Sequence, residues 1–143
     1  MPAILLALII TGCAPGTHHA RGREYLQKNR YDRAIKELEQ ASNEKGDLYY
    51  YIDVYSLLGE AYAKNGQTNQ AIPVYRNALQ MIHLRLREIS SERMDIRREL
   101  NAGKKAKVRD GQQEDMQLGD EEWKLKELAG GLKNKLSRLT GKP

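Results

Sequence analysis

An all-α protein of paired helices is what this sequence predicts, and three observations carry the prediction. Apolar residues recur three and four apart, as in Leu48, Tyr51, Ile52, Tyr55, Leu58 and Tyr62, the period of a helix buried along one face. One set of residues recurs at a fixed offset of 37: Gly22 and Gly59, Tyr25 and Tyr62, Ala34 and Ala71, Ile35 and Ile72, Ala41 and Ala78. Turn chemistry punctuates the periodic stretches at Asn29-Arg30, Gly46-Asp47 and Asn65-Gly66.

Composition narrows the function classes. The 143 residues suffice for one domain, or a small domain plus a tail. With 12 Gly, 4 Pro and 30% charged residues the chain is neither collagen-like nor a Pro/Gly low-complexity segment. Lys and Arg (24) exceed Asp and Glu (19), giving a net charge of +5, which permits binding to polyanions without demanding it. A single Cys excludes a disulfide framework and any zinc site built from several thiolates. No apolar run approaches the ~20 residues of a membrane-spanning helix.

The first element is the apolar run Ala3 to Ile10, followed by Thr11-Gly12-Cys13. The run is too short to span a bilayer and fits the apolar region of a secretory signal. Ile10-Thr11-Gly12-Cys13 resembles a bacterial lipobox. The resemblance implies a signal over residues 1–12, lipidation of Cys13, and a tether over 13–20. Each buried acyl methylene adds roughly 0.8 kcal/mol to anchoring. Ala14 in second position is similar to lipoproteins sent to the outer membrane, there facing the periplasm. His18-His19 falls in this tether.

The repeated segments come next. Gly22 and Gly59 lack a Cβ, and Ala34, Ala41, Ala71 and Ala78 are small, so antiparallel helices approach closely there while tyrosines and leucines fill the remaining volume. Gly66 suits a left-handed helix end, and Asp47 suits the N-cap of the following helix. Tyr55, Leu58-Gly59, Tyr62, Ala71, Tyr75 and Ala78 in the second copy resemble the tetratricopeptide repeat (TPR), a hairpin of helices A and B. The first copy keeps Gly22, Tyr25, Ala34, Leu38 and Ala41 but has His18 and Arg21 at two apolar places. The resemblance implies TPR-like hairpins, about two repeats, within a helical domain over residues 21–101.

Helix B of the second copy lacks the usual terminal Pro, with His83 in its place, and the apolar series Ile82, Leu86, Ile89, Ile96, Leu100 continues beyond it. The spacing predicts a long helix over about 69–101, or two helices broken near Ser90-Ser91. Arg93 interrupts the heptad, so this helix is expected to fold back as a cap on the repeats rather than form a seam with a second chain. Charge then becomes blocky: residues 97–109 are basic, 110–122 acidic and 124–142 basic. Gly103, Gly111 and Gly119 with little apolar periodicity predict a flexible charged linker over 102–119. A C-terminal amphipathic helix and tail are expected over 120–143, striped by Leu125, Leu128, Leu132, Leu136 and Leu139. Trp123 lies off that stripe.

Catalytic chemistry finds no foothold. The chain has no Gly-rich phosphate loop, no His-Glu-x-x-His and no Cys-x-x-Cys, and no enzyme activity, metal or cofactor is expected. A binding surface remains. The TPR resemblance implies a groove lined by A helices that takes a peptide or helix of another protein. The polar positions that would line it are His19, Arg23 and Gln27 on the first A helix, and Tyr49, Asp53, Ser56, Glu60 and Lys64 on the second. The function expected is therefore that of a lipid-anchored interaction adaptor or assembly factor in the bacterial envelope. Two alternatives stand beside it. One is a nucleic-acid-associated protein using the basic blocks, disfavoured by the acidic block between them. The other is a peripheral membrane protein whose last helix lies on anionic lipid.

Overall fold

The computed structural model describes residues 17–102 and 108–141. Cys13 and the apolar run before it lie outside the described residues. Five helices follow one another: α1 (Thr17–Gln27), α2 (Tyr31–Ala41), α3 (Leu48–Lys64), α4 (Thr68–Asn101) and α5 (Val108–Thr140). Among the described residues there is no strand, and the fold is all-α.

Local chemistry sets the helix ends. Asn29, at φ 56°, and Gly66, at φ 76°, take the left-handed conformation that reverses the chain between α1 and α2 and between α3 and α4. The Asp47 carboxylate accepts the Tyr50 amide proton at 2.7 Å and caps α3.

Two apolar clusters hold the stack. Leu26, Ala34, Ile35, Leu38, Leu58 and Ala61 join α1, α2 and α3. Ile52, Ala71, Tyr75, Ile82, Ile89 and Leu125 belong to the second cluster, which joins α3, α4 and α5. Tyr62 packs against both. Ala34, Ala41, Ala71 and Ala78 are wholly buried, with Leu58 and Tyr75 nearly so. A Cβ on Gly22 would stand 2.5 Å from Leu38, and one on Gly59 would stand 2.7 Å from the Tyr75 ring. At these two glycines the facing side chain leaves no room for a Cβ. Tyr25 is half-buried under the Arg33 guanidinium, 5.9 Å from its ring centre.

The structure departs from the sequence reading at four places. Residues 17–20, assigned to the tether, are the first turn of α1, and His18 hydrogen-bonds Glu37 at 2.8 Å. The polar His18 and Arg21 at apolar repeat positions are therefore served by a carboxylate on α2, which Arg21 approaches to 3.4 Å. The long helix agrees with the first of its two expected forms, running unbroken through Ser90-Ser91. Residues 108–119, expected as linker, are the first third of α5. The cap is also different: α4 continues without folding back, and α5 returns along it to cover Ile82 and Ile89 with Leu118, Leu125, Ala129 and Leu132. Leu128, expected on the buried stripe, is 45% exposed, and Ala129 takes the inner place.

Charge pairing explains why the acidic block is helical. Arg93 donates to Asp115 at 2.7 Å and to Glu122 at 2.6 Å. Arg85 donates to both oxygens of Glu121, from Nε at 2.8 Å and Nη2 at 3.0 Å. The hydrogen bond from Arg85 holds the Glu121 carboxyl below its ordinary value, and that from Arg93 does the same for Asp115. Lys126 and then Arg93 lower Glu122. Lowered folded-state values mean that the stabilisation is complete above the ordinary glutamate value of 4.5 and is lost as pH falls through the lowered ones. Acidification from about pH 7 to about pH 3 is therefore expected to lower the urea midpoint less in Glu121→Gln than in the wild type. Equal drops in the two proteins would show that this pair does not hold α5.

The groove between α1 and α3 as candidate functional site

The two A helices lie side by side because α1 packs on α2, α3 on α4, and α2 on α3. Their exposed edges meet at Asp53. His19 Nε2 and a carboxylate oxygen of Asp53 are 2.6 Å apart, and Arg23 donates to the same oxygen at 2.5 Å. Below this junction Arg23, Gln27, Asp53, Glu60 and Lys64 surround a cleft of about 330 Å³. Leu26 and Leu57 also line it. The arrangement sets Leu57 and the edge of Leu26 between charged walls.

Of the eight positions expected to line a groove, six gather here. Lys64 reaches Glu60 at 2.9 Å, one turn earlier on α3. Burial pushes the Glu60 carboxyl up, but hydrogen bonds from Lys135 and Lys64 outweigh it and leave the group below its ordinary value. The other two positions are engaged elsewhere. Tyr49 donates its hydroxyl proton to Glu121 of α5 at 2.6 Å, and burial followed by that hydrogen bond raises its pKa to about 12. The Ser56 hydroxyl donates to the Ile52 carbonyl on its own helix at 2.6 Å.

Sequence reasoning missed Lys135. It reaches Glu60 at 2.8 Å and stands 5.8 Å from the centre of the Tyr75 ring, so α5 contributes a cation to the α3 edge. Only the return of α5 beside α3 brings it there, and no spacing within the repeats signals it. Leu57, half-buried on α3, and Leu26, which is 6% exposed and belongs to the first cluster, are apolar residues on A helices that a sequence places in the core. Among the described residues no group of three or more His, Cys, Asp or Glu side chains converges as a metal site. No helix among them is long and apolar enough to cross a membrane.

Comparison with known families agrees with this geometry. Residues 15–49 and 52–82 each match the model of the tetratricopeptide repeat. The chain has no match among curated proteins and none among solved structures. The first match covers α1 and α2, and the second covers most of α3 and the first half of α4. Over these two spans the chain is similar to the tetratricopeptide repeat.

Proposed function

We infer that this protein is a non-catalytic adaptor or assembly factor of the bacterial envelope, tethered through an acylated Cys13 and holding a partner's peptide or helix between α1 and α3. The observation that carries the reading is the leucine-lined cleft walled by Arg23, Asp53, Glu60 and Lys64, set on repeats whose general role is protein–protein interaction. The lipobox-like Ile10-Thr11-Gly12-Cys13 supports the anchoring. Four residues from Cys13 to Thr17 reach at most about 14 Å, so an acylated Cys13 would keep the groove close to the membrane surface.

The test is crosslinking in native membranes. Wild type should give a discrete adduct with one partner, and Asp53→Arg should lose it while remaining at the membrane. Asp53 is 41% exposed, so the substitution leaves the core intact. An adduct that survives Asp53→Arg would move the partner off this groove. Cys13→Ser should leave the chain unprocessed and outside the membrane fraction. Mass spectrometry showing an intact, unacylated wild-type chain in the cytoplasm would overturn the anchoring.

A further inference from the structure

The helix that ends a repeat stack ordinarily turns a polar face to water. α5 does not. Its outer face carries Met116, 65% exposed, and Trp123, 64% exposed, seven residues apart and therefore aligned. Met94 on the neighbouring edge of α4 is 52% exposed. Between the two helices lies a cleft of about 260 Å³ lined by Ser90, Arg93, Met94, Arg97 and Glu122. Its walls are low. A Cβ on Gly119 would come no nearer than 4.0 Å to the Arg93 guanidinium, and one on Gly130 would meet nothing.

Charge is divided across this end face. Arg76, His83 and Arg87 follow at spacings of seven and four along the α4 edge, all exposed. Arg76 and Arg87 make no hydrogen bond or ion pair among the described residues. On α5, Asp120 and Glu127 share the stripe of Met116 and Trp123 and are likewise exposed and unpaired among the described residues. One edge is basic and the other carries acids.

We propose that this face is the interface of a two-fold dimer, in which α4 of each copy lies over α5 of the other. The heights of the residues favour a second copy over any other occupant. Gly111 beside Leu100 and Ile96, with Arg93 bonded to both Asp115 and Glu122, sets the antiparallel register of α4 and α5. In that register Met94 stands near the height of Met116, and Arg87 near that of Trp123. A two-fold axis parallel to the helices keeps every height and exchanges α4 with α5. It therefore sets Met94 against the second copy's Met116. It also sets Arg87 on the second copy's Trp123, between Asp120 and Glu127. Met, Trp and Arg are the side chains that interfaces concentrate, and an Arg over a Trp face adds a cation–π contact. The dimer would join two pairs of repeats end to end and leave both α1–α3 grooves open.

The test uses the full 143-residue chain. Sedimentation should show a concentration-dependent dimer, and emission from Trp123, the only tryptophan, should shift to the blue as the dimer forms. Arg87→Glu should raise the dissociation constant about tenfold or more, and so should Asp120→Arg with Glu127→Arg in one chain. Mixing those two variants should restore the dimer, because each contact then pairs opposite charges. A monomer at all concentrations would overturn the proposal. So would a mixture no tighter than its components. A Trp123 shift that appears only with phosphatidylglycerol vesicles would also overturn it, and would identify the face as a membrane contact.

Discussion

Leu125→Asp should detach α5 from the stack at a cost of about 4 kcal/mol or more, whereas Leu128→Asp, three residues on, should change stability by less than about 0.5 kcal/mol. Leu125 has no exposed surface and packs in the cluster that joins α4 to α3, so Asp there loses the leucine's burial and places an unpaired carboxylate in an apolar site. Leu128 is 45% exposed, and Asp there stays in water. A simple count of leucines along α5 puts both on one stripe, and only the observed rotation of the helix separates them. Urea denaturation of the two variants decides the matter. Similar losses would mean that α5 sits on α4 in a different register.

Gly59→Leu is expected to cost about 3 kcal/mol and to lower the melting temperature by about 10 °C. Leucine is a better helix former than glycine, so backbone propensity alone would favour the substitution. The opposing effect is steric. The new Cβ would lie 2.7 Å from the Tyr75 ring, which is 2% exposed and has no room to retreat. Gly131→Ala is the matched control, since nothing lies within 4 Å of a Cβ there. It should raise stability by about 0.5–1 kcal/mol through helix propensity. Thermal melts that place Gly59→Leu at or above wild type would remove the close crossing of α3 and α4. Gly59→Ala with Tyr75→Leu should lose less than the sum of its single variants, as neighbours that share one volume do.

By itself the sequence determined the all-α class, both repeat hairpins, their turns at Asn29 and Gly66, and the cap at Asp47. These features rest on local chemistry: helical period, positive φ, a carboxylate three residues before an amide, and small residues wherever an identical hairpin must close. Six of the eight candidate groove positions were legible for the same reason, because a repeat places equivalent residues on equivalent faces. Only the tertiary structure decided the second half of the chain. Residues 108–119 have little apolar period and read as linker, yet they are helical because Asp115 meets Arg93 and the following turn meets Arg85 on another helix. Such pairing between α4 and α5 leaves no trace in the local pattern of either segment. The rotation that buries Ala129 and exposes Leu128, and the delivery of Lys135 to Glu60, follow from that same docking. Periodicity states that a helix has an apolar face; which residues occupy its centre is set by the surface it lands on.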